Sequence, residues 1–315
     1  MSNRRGFSLI ELTVAMAIVA LLLAIILPAV QVVRGSSRRM QCASNLHQLG
    51  IACANYESLY GCFPNAGAHK YVLLPFLEEV ALYESRLPND PQDWDAAWRP
   101  IADRAPAVYR CPADSEPSVI MDGGKRMSTV NYLGCQGNND FSRESQKSGM
   151  FVYSDRDPRT GQPYLRYIRL AEVLRGTSNV ALMSEMLHGT DQPIQSLDRL
   201  RVIWQLPGGF TRAQFADFAA LCESVPPDAA ARGWLGSSSL GIPWFMGGEG
   251  HETYYHSLTP NFPSCHSPYV GTRGGIYTAA SNHGGGVNVL YVDGHVSFVS
   301  ENVDRSVWRA TGARH

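Results

Sequence analysis

The chain has 315 residues, with 27 basic and 28 acidic side chains and a formal net charge of −1 at pH 7. This balance lacks the excess of basic residues that is typical of nucleic-acid-binding proteins, so no nucleic-acid partner is predicted. The hydrophobic content of 44% is ordinary for a folded protein, and a chain of this length can bury a large core without disulfides.

The N-terminal segment is apolar enough for a membrane. From Leu12 to Val33, 22 consecutive residues carry no formal charge. A helix of this length extends about 33 Å, which crosses a bilayer core. Glu11 precedes the run, and a carboxylate in a membrane helix is costly unless it has a partner. A secretory signal peptide is disfavoured because its apolar region spans only about 7–15 residues, which leaves a plain signal anchor or a specialised leader.

The local order of residues favours the specialised leader. The stretch "MSNRRGFSLIE" resembles the start of the type IV pilin and pseudopilin class. The resemblance implies cleavage after Gly6 by a prepilin peptidase, N-methylation of Phe7, and a helix-kinking role for Pro28. Glu11 becomes the fifth mature residue and faces the new terminal amine of its own or a neighbouring subunit. An acid and an amine that meet in lipid each remove the other's burial penalty.

Basic residues flank the apolar run on both sides. Arg4 and Arg5 precede it, and Arg34, Arg38 and Arg39 follow it, so the positive-inside count does not decide the orientation. The leader resemblance implies a cytoplasmic leader, a single pass through the cytoplasmic (inner) membrane and a head exported to the periplasm or cell surface. It also implies contact with membrane lipid and, through the stem helix, with other pilin or pseudopilin subunits.

The helix is predicted to continue past the membrane, from about Ser8 to Tyr60, with Gly35 loosening it. Gly61 and Pro64 then end the helix. We therefore divide the chain into a leader (1–6), a transmembrane and stem helix (7–60) and a head (61–315). Apolar residues that step by three and four along one helix face predict packing beneath the head: Cys42, Leu46, Leu49, Cys53, Tyr56 and Tyr60.

The head combines helical and strand patterns. "YVLLPFLEEVALYE" predicts a helical stretch interrupted by proline, and Arg169 to Leu174 predict a helical turn. "TVNYLGCQG" and "VALMSE" predict strands, and "TRAQFADFAALCE" predicts a helix with Thr211 as its N-cap. The predicted fold class is α+β, with a long N-terminal helix and a large mixed head that contains an antiparallel sheet, as in pilins.

The C-terminal end predicts a β-hairpin. Two alternating apolar runs flank Asp293 and Gly294, and Asp-Gly is a strong hairpin signal. A two-residue loop pairs Val292 with His295. This register places four apolar side chains on one face, which we expect to be core: Val289, Tyr291, Val296 and Phe298.

His283, nine further residues and Asp293-Gly294 form an H-x9-DG pattern. This pattern resembles the signature of a large family of bacterial pseudopilin-like proteins of unresolved function, abundant in planctomycete-type bacteria. Five other blocks resemble the same family: "NLHQLGIACANYESLYGCFP", "LLPFLEEVALYE", "YRCPADS", "NYLGCQG" and "GTSNVALMSE". Within this pattern we expect Asp293 and Gly294 to form a structural turn.

Two groups of residues were weighed as metal sites. His283, Asp293 and His295 are suitable ligand types, but the turn already explains Asp293, and polar residues are common at a hairpin mouth. Asp155 and Asp157 alternate as calcium ligands can, but the twelve-residue loop with its terminal glutamate is missing. No metal and no cofactor are predicted.

The seven cysteines leave at least one unpaired within the chain. On one helix, Cys42 and Cys53 lie about 16 Å apart, beyond the roughly 7 Å between α-carbons that a disulfide allows. They therefore cannot bridge each other, and the pairing stays open. No C-x-x-C motif indicates a zinc ribbon or a redox site.

A late segment is rich in aromatic residues: Trp234, Trp244, Phe245, Tyr254, Tyr255 and Phe262. We expect these rings to fill the head core rather than form a binding surface. The predicted function is structural, as a subunit of a type II secretion-like or type IV pilus-like assembly. The alternatives are a membrane-anchored binding protein for a glycan or protein, and an anchored hydrolase. The hydrolase is disfavoured because no G-x-S-x-G context is present.

Overall fold

The computed structural model describes residues 9–87, 94–138, 148–156, 159–206, 210, 212–245, 248–267 and 275–315. Its dominant element is helix α1, Leu9–Tyr60, which contains 52 residues. The helix continues through Pro28 and Gly35 without a break. It ends where Gly61 takes a left-handed φ of 69° and donates its N–H to the Glu57 carbonyl at 2.7 Å, a usual way for glycine to close a helix.

The outer half of α1 packs against the head, as its apolar stripe predicts. Cys42, Leu46, Leu49 and Cys53 are fully buried. The burial ends earlier than predicted, because Tyr60 is 59% exposed. The stem therefore lies under the head for about three turns and then emerges at its C-terminal end.

The remaining helices are short. They are α2 (His69–Val72), α3 (Val80–Glu84), α4 (Trp94–Trp98), α5 (Phe215–Glu223) and α6 (Arg305–Thr311). A 3-10 turn at Leu74–Leu77 separates α2 from α3, which confirms the proline-interrupted helical stretch. The predicted turn near Arg169 is confirmed as a 3-10 turn at Leu170–Glu172.

The strands of the described residues form two larger sheets and two hairpins. They are β1 (Val119–Asp122), β2 (Lys125–Ser128), β3 (Tyr132–Gly137), β4 (Ser154–Arg156), β5 (Pro163–Leu165), β6 (Ala181–Glu185), β7 (Ile203–Gln205), β8 (Gly236–Ser237), β9 (Thr253–Tyr255), β10 (Ser264–His266), β11 (Gly275–Ile276), β12 (Gly286–Tyr291) and β13 (Val296–Ser300). β3 and β6 confirm the two strands predicted from "TVNYLGCQG" and "VALMSE". The architecture confirms the α+β class.

The central sheet has the strand order β13-β12-β6-β3-β9. All its neighbours are antiparallel except β3 and β9, which are parallel. The second sheet has the order β11-β10-β7-β8 and packs against α5, where Cys222 forms a disulfide with Cys265 of β10. The α-helical part of α5 begins at Phe215, after a 3-10 turn, and the predicted N-cap Thr211 lies outside the described residues.

The C-terminal hairpin has a three-residue turn, and the predicted pairing of Val292 with His295 is wrong. Instead, the Tyr291 N–H donates to the His295 carbonyl at 2.9 Å, so these two residues oppose each other. Residues 292–294 make the turn, and Gly294 adopts a φ of 91°. A glycine in the left-handed region closes such a turn without strain, and this solution uses the same Asp-Gly sequence as a two-residue loop.

This difference of one residue changes which side chains share a face. Val289 and Tyr291 pack in the cluster on one face of the sheet, whereas Val296 lies with the cluster that includes α1. On the α1 side, the guanidinium of Arg39 lies 3.6 Å from the ring centre of Phe298. The predicted single core face is therefore wrong, because a register shift of one residue exchanges the two faces of a strand.

Both faces of β12 are covered, which explains why the simple in-out alternation failed. α1 covers one face, where Leu290 is fully buried. The other face packs against Trp308 of α6 and the buried tyrosines of β9. All six residues of β12 are buried.

The aromatic segment fills the core, as predicted. Trp244, Phe245, Tyr254 and Tyr255 are at most 2% exposed. Trp234 and Phe262 are partly buried and pack against the cluster of the second sheet. The four fully buried rings are therefore not available as an exposed platform for a glycan.

The stem approaches the sheet closely at Gly50. A Cβ atom at this position lies 2.9 Å from Cδ1 of Leu290, whereas a Cβ at Gly35 of the same helix meets nothing within 4 Å. We expect Gly50→Val to destabilise the protein by about 1–3 kcal/mol through overpacking. The matched variant Gly35→Val should leave stability unchanged or slightly raise it, because valine is a better helix former than glycine.

The measurement is the urea midpoint of unfolding of the full chain in detergent, with the fluorescence of the buried tryptophans as the signal. Equal midpoints for the two variants would show that the approach of Gly50 to Leu290 does not limit packing.

Candidate functional site at the stem and joint

The first half of α1 exposes its apolar side chains on all sides. Exposure is 81% at Leu9, 65% at Met16, 64% at Ile25 and 66% at Val33. The helix is long and apolar enough to cross a membrane by length and composition, and none of its most apolar window is buried. An apolar surface of this size needs lipid or another protein to cover it.

Two predicted assembly residues lie in this helix. Glu11 is in the first turn, where a carboxylate interacts favourably with the helix dipole. Pro28 lies inside the helix, where it removes one backbone hydrogen bond. The predicted processing residues Gly6 and Phe7 lie outside the described residues.

The stem is joined covalently to the head. Cys42 of α1 forms a disulfide with Cys111, 69 residues further along the chain. Nε2 of His283 lies 3.6 Å from Sγ of Cys111 and 3.2 Å from Oε1 of Glu185. The backbone N–H and side-chain amide of Asn288 donate to the two Glu185 oxygens at 2.8 and 2.9 Å. We call Cys42, Cys111, Glu185 and His283 the joint cluster.

Asparagine side chains hold the segments that carry the joint cluster. Asn45 of α1 donates to the Arg110 carbonyl at 2.8 Å, and Asn131 accepts the Cys111 N–H at 3.0 Å. The Tyr132 hydroxyl donates to the Cys42 carbonyl at 3.3 Å. These contacts fix the backbone on both sides of the disulfide independently of the sulfur–sulfur bond.

The sequence blocks that carry the family resemblance meet here. Asn45, Cys111, Asn131, Glu185 and His283 come from five separate stretches of the chain. The sequence does not indicate that these stretches meet, because the contacts join positions 20 to 172 residues apart. No local pattern reports such contacts.

The H-x9-DG spacing corresponds to one strand. His283 precedes β12 and belongs to the joint cluster, where it contacts Glu185. Gly294 follows β12, and its carbonyl oxygen lies 3.0 Å from Nδ1 of His47 of α1. The Cα of Gly294 also lies 3.7 Å from the Cβ position of Gly50. One end of the motif therefore contacts Cys111, which is bonded to the stem through Cys42, and the other end contacts the stem directly, with β12 lying between them.

The three residues weighed as a metal site do not come together. His283 is buried in the joint cluster, and Asp293 and His295 lie beyond the other end of β12. Nδ1 of His295 lies 2.6 Å from Oδ1 of Asp293, and both side chains are at least one-third exposed. Of the pair weighed for calcium, Asp157 lies outside the described residues.

A buried ion pair anchors the loop after Cys111. Asp114 accepts hydrogen bonds from Arg201 at 2.6 and 3.1 Å and from Asn131 at 2.8 Å. Burial raises the pKa of Asp114, but the Arg201 hydrogen bonds and nearby His188 outweigh it, so the pKa lies below its ordinary value. Burial lowers the pKa of His188. The loop is thereby held by a fully paired carboxylate.

A second pair of buried charged residues joins α2 to the segment before β9. Lys70 and Glu252 are fully buried, and Lys70 donates to the His251 carbonyl at 3.1 Å. Neither oxygen of Glu252 has a hydrogen-bond partner among the described residues. Burial raises the pKa of Glu252 to about 8 and lowers that of Lys70 to about 8. At neutral pH the burial therefore favours the protonated, neutral form of Glu252.

This pKa shift predicts a pH dependence of stability. Because the pKa of Glu252 rises on folding from 4.5 to about 8, the folded chain binds an extra proton between these values. We expect the contribution of Glu252 to the free energy of unfolding to fall as pH rises from 5 to 8, by up to about 1.4 kcal/mol per pH unit. Glu252→Gln mimics the protonated acid, so the free energy of unfolding of the wild type relative to this variant should fall over the same range.

The test is urea unfolding of the full chain at several pH values between 5 and 8. Glu84→Gln, at an exposed site in α3, should keep the wild-type slope. The lowered pKa of Lys70 acts with the opposite sign only above pH 8, and burial lowers the pKa of His69, His188 and His256, which act with the opposite sign below about pH 7. Each variant is therefore compared with the wild type at the same pH, so that these contributions cancel. A wild-type slope in Glu252→Gln would contradict the prediction.

Two family models match the chain. A prokaryotic N-terminal methylation motif matches residues 1–27, and a model described as a protein of unknown function (DUF1559) matches residues 31–306. No curated protein matches the chain, and no solved structure matches it. The motif and the apolar helix indicate a pilin-like, membrane-anchored, single-pass protein, and the motif implies processing by prepilin peptidase and assembly with other pilins in general. Because the second match covers most of its length, the chain belongs to the DUF1559 family of proteins of unknown function.

Proposed function

We propose that this protein is a structural subunit of a type II secretion-like or type IV pilus-like assembly, with no catalytic role. The observation that supports this proposal is the exposure of large apolar side chains on every side of the first half of α1, in a segment that matches a methylation motif. A helix of this kind resides in lipid before assembly and packs against other stems afterwards.

The proposal divides the chain into a leader (1–6), a stem (7–60) and a head (61–315). Prepilin peptidase cleaves after Gly6, and Phe7 becomes the methylated mature terminus. The head is exported to the periplasm or cell surface, while α1 holds it in the cytoplasmic membrane. Pro28 then allows the helix to kink within the packed stems.

Glu11 pairs with the α-amine of Phe7 in its own or a neighbouring stem. Burial of either charge alone in lipid is costly, whereas the pair offsets most of that cost. The pairing also selects the axial position of neighbouring stems, because only one stagger brings acid and amine together.

The outer half of α1 offers a second surface for neighbouring stems. At about 100° per residue, Met40 and Ile51 project opposite the buried stripe, and they are 71% and 50% exposed. Ser44 and Ser58 lie on the same side, and both are exposed. Small residues allow close approach of helices, and the apolar ones supply contact area.

Processing is tested by the intact mass of the protein purified from cells with an active prepilin peptidase. We expect the mass of residues 7–315 plus one methyl group. Gly6→Val should retain the leader, because it changes the residue at the cleaved bond. Recovery of the wild-type chain with all six leader residues would refute the processing step.

Assembly is tested by the variant Glu11→Gln. We expect it to be processed normally but to give at least tenfold fewer crosslinked oligomers in membranes, and correspondingly less protein in sheared filaments. The matched variant Glu57→Gln lies near the far end of the same helix and should assemble like the wild type. Normal assembly of Glu11→Gln would exclude the acid–amine pairing.

A further inference from the structure

The joint cluster contains the donor set of a metal site. One ligand atom each from Cys42, Cys111, Glu185 and His283 lies within 4.8 Å of the other three, and all four residues are buried. Two thiolates, an imidazole and a carboxylate suit zinc, which prefers four ligands of these types. The disulfide uses both sulfurs, so disulfide and metal are alternative states of the same residues.

Three of the five distances outside the disulfide agree with a zinc tetrahedron. Zinc bonds of about 2.3 Å to sulfur and about 2.0–2.2 Å to nitrogen or oxygen place sulfur about 3.5 Å from each lighter ligand, and those two about 3.3 Å apart. The structure has 3.6 Å from Cys111 Sγ to His283 Nε2 and 3.9 Å from that sulfur to Glu185 Oε1. Nε2 and Oε1 are 3.2 Å apart. The two sulfurs must separate to about 3.8 Å, and Cys42 Sγ already lies within 4.8 Å of the nitrogen and oxygen ligand atoms.

The surroundings hold these ligands without the disulfide. Asn45 and Asn131 fix the backbone next to Cys111, and Tyr132 fixes that of Cys42. Reduction therefore leaves the two thiols facing each other. The backbone of α1 need not shift relative to the head, because rotation of the cysteine side chains alone separates the two sulfurs.

The carboxylate also has outer partners of the kind seen at metal sites. Asn288 donates to both oxygens of Glu185, at 2.8 and 2.9 Å. Such hydrogen bonds orient a ligating carboxylate and strengthen metal binding. With two thiolates, one carboxylate and Zn²⁺ the site carries one net negative charge, and these amide donors partly offset it.

Solvent reaches the cluster from two sides. His283 and Asn288 line a cavity of about 910 Å³ between the stem and the sheet, which also contains Arg39. Cys111 lines a second cavity of about 510 Å³. A small dithiol or a metal ion can therefore approach the ligands without unfolding of the head.

We propose that reduction of the Cys42–Cys111 disulfide converts the joint cluster into a tetrahedral zinc site with Glu185 and His283. A dithiol reductant transfers two electrons, the sulfur–sulfur bond breaks, and the reductant becomes a disulfide. Zn²⁺ then displaces the two thiol protons, which leave to solvent. Either state connects the stem to the head, one by a covalent bond and the other through the metal.

The test uses the full chain in detergent, reduced with a phosphine under anaerobic conditions, desalted and titrated with Zn²⁺ or Co²⁺. We expect one equivalent of zinc per reduced chain, and the absorption of tetrahedral thiolate-bound cobalt. The oxidised chain should bind less than a tenth as much. No stoichiometric metal in the reduced chain, with Cys42 and Cys111 shown by alkylation to be open, would overturn the proposal.

Matched variants locate the site. Cys222→Ser/Cys265→Ser removes the other disulfide and should bind zinc like the wild type, whereas Cys42→Ser/Cys111→Ser should lose the equivalent. His283→Gln retains all cysteines and can form both disulfides, so its fold is verifiable before reduction. It should bind zinc at least tenfold more weakly. Retained binding in Cys42→Ser/Cys111→Ser, or unchanged affinity in His283→Gln, would overturn the assignment.

Discussion

The structure depends on the packing of one helix in two environments. An α-helix satisfies its backbone hydrogen bonds internally, so the same element can leave lipid and enter a protein core without a break. In α1 the change occurs between Val33, which is 66% exposed, and Cys42, which is fully buried. From there one face of the helix becomes part of the head core, and the other face stays free. The membrane segment and the part of the stem that packs on the central sheet thus belong to one continuous helix.

β12 is the strand that makes this arrangement possible. It lies in the interior of the central sheet, between β13 and β6, and is covered on both faces. The stem reaches it closely only because Gly50 has no side chain to hold Leu290 away. At the ends of the strand, His283 and Gly294 add polar contacts to residues attached to or within α1. A helix held at two heights cannot rotate about its axis relative to the sheet.

The features that were predicted correctly are local. The stem has a continuous apolar run and then a stripe with helical spacing, and β3 and β6 have short apolar runs between turn residues. The hairpin was predicted as an element but with the wrong register, since Asp-Gly closes both a two-residue and a three-residue turn. The choice between them depends on which side chains α1 and α6 cover. That information is tertiary, and it reversed the positions of Val296 and Phe298.

The joint cluster shows the same limit more strongly. Helix geometry excludes a Cys42–Cys53 bridge but does not select Cys111, because the partner depends on where the head segment around Cys111 returns to the stem. Asp293 and His283 share a motif and are both suitable metal ligands, yet a six-residue strand separates them. Spacing in a motif therefore has two meanings. Three or four residues bring side chains together on a helix, whereas nine residues in a strand context place them apart.

Placement of the joint cluster also has a consequence for the proposed assembly of stems. The cluster lies against the head-facing side of α1, where Cys42 is buried, so the side that carries Met40 and Ile51 would be available to neighbours. Because the joint fixes the rotation of the stem, the direction of that free side relative to the head is the same in every copy. In the proposed assembly, identical stems packed side by side would present identical head orientations. A regular array of heads would then follow from a contact buried inside each subunit, before any contact between heads is considered.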